Sequence, residues 1–266
     1  MKVLVTGSEG FLGRHVCAAL RKRGHAVTGL DTLPTAEVMA DITKVMPLMK
    51  VDAVVHLAAV ASPNICAANP ELAFNVNVNG THQVLRLALE SGAKKVVFSS
   101  SAHVYGISPK YLPTDEYHPL WLQNVYTTTK ILGEQLCQLF YDNHGLSYTT
   151  LRLFNVYGPG QGLGYFIPDM IEKAKRGNIE LKGGNTTKDW VFVDDVARAF
   201  CGAVETPYVG PINIGTGVEV SLGMIAALIV LDTGTQTLAR FDGDGDETRM
   251  QANWSRAKRV LGWEPT

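Results

Sequence analysis

Two hydrophobic rhythms alternate over the first 155 residues or so. KVLVT is a short β-branched run that ends in glycine, which predicts a buried strand. GFLGRHVCAALRKRG places apolar residues at helical spacing, with basic residues in its last turn and Gly24 as its stop. AVTGLD and DAVVHLAA predict two more strands, and PELAFNVNVNGTHQVLRLALESG a helix. KKVVFSS predicts a strand, VYTTTKILGEQLCQLFYDNHG a helix and SYTTLRLFNVYG a further strand. Strands alternating with helices in this way argue for a parallel sheet covered on both faces.

The texture changes after NVYGPGQ, where Gly and Pro become frequent and the elements shorten. This divides the chain into a region at 1–157 and a smaller one at 158–266, with 189–205 returning to the main sheet. Composition adds little: 266 residues, 46% apolar, 18% charged and a net charge of -1 suit an enzyme-sized globular protein. No basic excess points to nucleic acid. MKVLVTG and MIAALIVL are too short for a signal peptide or a membrane span, so no membrane partner is expected. Cys17, Cys66, Cys137 and Cys201 lie far apart without metal-ligand spacing. They read as buried thiols in a reducing compartment, which makes the cytoplasm the default location and leaves no metal expected.

Candidate chemistry sharpens the picture. Gly7, Gly10 and Gly13 stand between the first strand and the first helix. Gly7 permits the tight turn, Gly10 lets a pyrophosphate approach and Gly13 lets helix pack on strand. The helix start at Phe11 and Leu12 offers free N–H groups to phosphate. Asp31 ends the second strand, where an acidic residue binds the adenosine ribose of NAD and repels a 2′-phosphate. The expected fold is therefore α/β: a Rossmann-type doubly wound parallel sheet with a smaller C-terminal substrate-binding region. Tyr126 and Lys130 share a face of a predicted helix. A lysine and a nicotinamide cation both favour the phenolate, so Tyr126 can take a proton while hydride leaves.

TGSEGFLG, Asp31, Asp41-Ile42, HLAA, NVNVNGT, SSSAHVYG, YTTTK, LRLFNVYGPGQ, DWVFVDDVA, NIGTG and SRAKRVLGWEP occur in that order. Together they resemble the extended short-chain dehydrogenase/reductases, in the NAD-dependent sugar-nucleotide epimerase/dehydratase branch. The resemblance implies the following roles. Ser101, three positions before VYG, hydrogen-bonds the reacting hydroxyl, and Tyr126 is the acid/base. Lys130 also binds the nicotinamide ribose, and Ser99 and Ser100 line the cofactor side or close the strand. Asp41 and Ile42 contact adenine, Leu57, Ala58 and Ala59 line the cofactor groove, and Asn77 steadies it. Asn155 binds the sugar-nucleotide phosphates, Lys188 stands near the nucleotide, and Arg249 is the remaining diphosphate candidate. A homodimer is implied, formed by the tyrosine-bearing helix and the one before it; the apolar stripe Ile131, Leu132, Leu136 and Leu139 suits that interface or, equally, the face buried against the sheet.

Departures from the family pattern refine the expectation. Dehydratases carry acid directly after the catalytic serine, but here the pair is Ala102-His103. That disfavours dehydration and leaves His103 a substrate-facing candidate. Asn253 replaces a common aspartate, and the chain stops sooner than most relatives; the shorter substrate lobe suggests an unusual or smaller substrate. The leading expectation is a nucleotide-sugar 4-epimerase that keeps NAD bound and works through a transient 4-keto sugar. The same residues serve a reductase or dehydrogenase that exchanges its cofactor, or an oxidoreductase of a small non-nucleotide substrate. A non-catalytic NAD-binding regulator would commonly lose the tyrosine or lysine, and both are kept.

Overall fold

The computed structural model describes residues 1–177, 180–234, 240–242 and 248–266. The chain begins with β1 (Lys2–Thr6), α1 (Phe11–Lys22), β2 (Ala26–Asp31), β3 (Val38–Met39) and β4 (Ala53–His56). Two short helices follow, α2 (Pro63–Ala68) and α3 (Pro70–Phe74). The second runs through a π-helical turn at Asn75–Gly80 into α4 (Thr81–Glu90). Next come β5 (Lys95–Ser101), α5 (Val125–His144), β6 (Ser147–Leu153) and β7 (Asn155–Tyr157). The remainder holds α6 (Phe166–Lys175), β8 (Glu180–Lys182), β9 (Thr187–Phe192), α7 (Val193–Glu205) and β10 (Gly210–Ile214). It closes with β11 (Glu219–Ser221), α8 (Leu222–Thr233), β12 (Arg240–Asp242) and α9 (Ser255–Leu261).

Seven strands form one parallel sheet in the order β10-β6-β5-β4-β1-β2-β3. This is the doubly wound Rossmann arrangement. Chain direction across the sheet reverses between β1 and β4, and the strand ends open a crevice at that switch point. The two faces of each strand are buried in different layers. Val3 and Val5 pack with Val55, Val97 and Leu151 against α1 and α7. Leu4, between them, packs with Val54, Val96 and Phe98 against α4 and α5. Each fully buried side chain of this kind contributes about 1.5–3 kcal/mol.

The run expected as one strand at 147–158 is divided. β6 belongs to the main sheet, whereas β7 pairs with β9 in a three-stranded sheet, β11-β9-β7. The break falls at Phe154, whose ring is buried with Tyr105 and Ala252 in a separate cluster. Segment 189–205 covers the end of β9 and all of α7; the helix packs on the main sheet, while the strand that joins that sheet is β10. α5 starts from a reciprocal capping box between Asn124 and Thr127 and stops at Gly145, so the first turn is held where Tyr126 emerges, with Lys130 one turn further on.

Candidate active site

The crevice over the switch point is a cleft of about 670 Å³. Its floor is the β1–α1 turn. Gly7 has φ +72°, and a Cβ there would lie 2.7 Å from the Ala58 nitrogen. A Cβ on Gly13 would lie 2.0 Å from the Gly7 carbonyl oxygen. Only glycine lets α1 approach this closely. Gly10 caps α1 without any side-chain hydrogen bond, and Phe11, Leu12 and Gly13 line the cleft with it. Their N–H groups are the uncompensated donors of a helix start, which suits an anion such as a pyrophosphate.

Asp31, Asp41 and Ile42 line one end of the cleft. The Asp31 carboxylate accepts from the Glu9 and Leu33 backbone N–H groups at 3.1 and 3.3 Å. Thr43 donates twice to Asp41, holding that carboxyl below its ordinary range. Leu57, Ala58 and Ala59 form the wall beyond β4, with Ser99 beside them.

A buried polar rail supports this wall. Thr81 Oγ1 donates its one proton to the Asn77 carbonyl at 2.6 Å. His56 Nε2, 3.0 Å away, therefore donates to Thr81, and Nδ1 accepts from Thr6 Oγ1 at 2.7 Å. Thr6 Oγ1 in turn accepts from the Ala58 N–H at 3.3 Å. Burial and the nearby Lys130 charge push His56 down to about 3, in keeping with this neutral tautomer. Asn77 itself does not line the cleft. It accepts from the Val60 N–H at 2.7 Å and donates to the Val60 carbonyl and to Thr129 Oγ1 at 3.1 and 3.0 Å. Thr129 then donates to the Tyr126 carbonyl at 2.8 Å, tying the wall to the first turn of α5. Asn77 sits in the π-helical turn, where the added residue aims it at Val60.

Ser101, Tyr126 and Lys130 meet at the other end of the cleft. Lys130 Nζ donates to the Ser99 carbonyl at 2.9 Å. Burial pushes Lys130 down to about 8. The sequence suggested a phenol lowered by this lysine. In the folded chain burial dominates and pushes Tyr126 up to about 12, with the Ser101 hydroxyl pulling the other way. Ser101 Oγ also accepts from the His103 N–H at 3.2 Å. The His103 ring lines the cleft edge-on to Tyr126, with centroids 6.3 Å apart, and burial followed by the Lys188 charge holds it down to about 4. Tyr105 stays out of the cleft; its hydroxyl donates to Asn213 Oδ1 at 2.6 Å.

Asn155 lines the opposite wall and donates to the Asp189 carbonyl at 3.3 Å. Lys188 and Arg249 do not line the cleft. Lys188 donates to Thr248 Oγ1 at 3.0 Å, and Arg249 is engaged by the Glu219 carboxylate of β11. Gln161, Tyr165, Phe166 and Trp190, none of them expected from the sequence, complete that wall. Gln161 and Trp190 lie inside the NVYGPGQ and DWVFVDDVA motifs; Tyr165 and Phe166 carry no comparable signal. Among the described residues lining the cleft, the carboxylates are Asp31 and Asp41, both far along the chain from the Ser101 strand end.

Residues 3–215 match the NAD dependent epimerase/dehydratase family. A putative UDP-glucose 4-epimerase of Methanocaldococcus jannaschii is 32% identical, over 99% of this chain and 93% of its own length. A UDP-glucose 4-epimerase of Mycolicibacterium smegmatis is 32% identical, over 100% of this chain and 94% of its own. The crystal structure of a Thermotoga maritima UDP-glucose 4-epimerase with UDP-glucose superposes with a TM-score of 0.92 at 31% identity, covering 100% of this chain and 94% of that one. No described helix is long and apolar enough to cross a membrane. With its glycine cradle, its Ser–Tyr–Lys cluster and these similarities, the chain belongs to the NAD dependent epimerase/dehydratase family of extended short-chain dehydrogenase/reductases.

Proposed function

We propose that the protein is an NAD-dependent nucleotide-sugar 4-epimerase of the UDP-hexose type. The observation that supports this is that Ser101, Tyr126 and Lys130 line the same cleft as the glycine turn, Asp31 and Asp41. Residues 1–157 hold NAD, and the region 158–266 extends the substrate wall that begins at Asn155. Gly7, Gly10, Phe11, Leu12 and Gly13 receive the pyrophosphate, Asp31 the adenosine ribose, and Asp41 and Ile42 the adenine. Leu57, Ala58, Ala59 and Ser99 flank the rest, with Asn77 bracing them. Bound NAD supplies a hydride acceptor that is also a hydride donor.

Tyr126 takes the proton from the C4 hydroxyl and returns it to the C4 oxygen of the other epimer. Ser101 hydrogen-bonds that oxygen throughout, and Lys130 stabilises the phenolate and orients the cofactor ribose. Water loss needs an acid beside Ser101, and Ala102 there is fully buried and carries no acid. His103 and Asn155 face the sugar nucleotide. Lys188 and Arg249 approach its diphosphate only if their present partners release them.

The protein works in the cytoplasm, a location supported by four free buried cysteines. It pairs as a homodimer through α4 and α5. Of the apolar stripe on α5, Ile131 and Leu136 turn inward, whereas Leu132 and Leu139 are 36% and 49% exposed and free to face a second copy.

UDP-glucose deuterated at C4 tests the chemistry. An epimerase keeps the label at C4 of the product. A dehydratase moves it to C6, and a dehydrogenase releases it on the free cofactor; either result overturns the proposal.

A further inference from the structure

The three serines that end β5 are matched one by one to a single face of α5. Ser101 faces Tyr126, the Ser99 carbonyl accepts from Lys130 Nζ at 2.9 Å, and Ser100 Oγ donates to Glu134 Oε1 at 2.6 Å. Tyr126, Lys130 and Glu134 are spaced four apart on the helix, so one stripe carries all three. Glu134 does not line the cleft, and its side chain is 6% exposed. Arg152 of β6, 5% exposed, holds it at two points: Nε to Oε1 at 3.0 Å and Nη2 to Oε2 at 2.6 Å. Arg152 stands directly across from Ser100 in the β5–β6 register. Its Nη1 also donates to the Tyr105 hydroxyl at 2.9 Å.

A buried ion pair is a weak source of stability, because desolvation offsets most of its attraction. What it supplies is direction. Apolar packing alone would let α5 slide on β5, whereas a two-point guanidinium–carboxylate pair admits one geometry. We propose that Glu134, clamped by Arg152, is a positioning residue that sets the register of Ser99–Ser101 against Tyr126 and Lys130. The inference rests on the reading of Tyr126 and Lys130 as the reacting pair. Glu134 has an electrostatic effect as well. The titratable groups facing Lys130 are Tyr126 and Glu134 from α5, Cys66 from α2 and His56 from β4. Burial lowers the Lys130 pKa, and the neighbouring Cys66 and Glu134 groups oppose it.

Two variants test this. Ser100→Ala removes the hydroxyl that reaches Glu134 and leaves the Glu134–Arg152 pair intact. Glu134→Gln removes the charge. A small misplacement at a reacting centre costs about a hundredfold, so kcat falls about ten- to a hundredfold in each, with KM for the nucleotide sugar and bound NAD little changed. In Glu134→Gln the Lys130 ammonium, followed by NMR of nitrogen-labelled lysine and assigned with Lys130→Ala, also titrates at lower pH than in the parent. If Glu134→Gln does not fold, Ser100→Ala decides through kcat. A folded, NAD-loaded variant that keeps the parent kcat overturns the inference. If the parent turns over no nucleotide sugar, the functional reading fails separately, and a crystal structure of Ser100→Ala or Glu134→Gln with Ser99–Ser101 unshifted against Tyr126 and Lys130 then overturns the positioning role.

Discussion

His56 shows how a residue outside the chemistry limits the conditions under which the site persists. It is 2% exposed, and its hydrogen bonds to Thr6 and Thr81 require the neutral ring. Its pKa falls from 6.5 to about 3 on folding, so below 6.5 the unfolded chain binds a proton that the native chain refuses. Stability is therefore complete above about pH 6.5 and is lost as pH falls towards 3, by about 2 kcal/mol at pH 5 from this residue. Denaturant unfolding at pH 7 and pH 5 measures this, and His56→Gln should flatten the dependence. An equal slope in parent and variant would remove His56 as its source. At this scale the pairing of Tyr126 with Lys130 was legible from helical spacing, and Ser101 only through the family resemblance; the fold brings all three to one cleft. The Glu134–Arg152 pair was not: nothing in a separation of 18 positions tells that a helix residue and a strand residue meet inside the core.

At the scale of elements, the β1–α1 junction decides whether a dinucleotide is held at all. A methyl on Gly13 would overlap the Gly7 carbonyl at 2.0 Å and the Ser8 Cα at 2.7 Å. Neither atom belongs to a flexible side chain, so α1 must move off β1. Gly13→Ala is expected to lose about 1–3 kcal/mol of stability from overpacking and to purify without NAD. Thermal unfolding and the nucleotide content of the purified protein check both effects; full NAD occupancy would contradict this account of the cradle. The alternation of strands and helices made this junction readable in advance. The π-helical turn at Asn75–Gly80 was hidden within a longer helical pattern, because one added residue barely disturbs the spacing of apolar positions. The break at Phe154 was hidden as well, since the strand-like pattern LRLFNVY continues across it from the main sheet into the small one.

For the whole molecule, the parallel sheet sets out a nucleotide end and a reacting end, and the later half of the chain supplies the facing wall. The expected division near 157 came from a change in texture. The route of the later chain was harder to read, because short runs among Gly and Pro do not show that β10 joins the main sheet beside β6. The central claim is that one bound cofactor serves both halves of a reaction with no net redox change. It is tested most directly by incubating the purified protein with UDP-glucose and no added NAD, with Tyr126→Phe as the control. The account predicts that the C4 epimer forms to equilibrium with no build-up of free NADH, and that the control is slower by about 10²–10⁴-fold. Steady NADH release, or epimerisation by the Tyr126→Phe control at the parent rate, would contradict it.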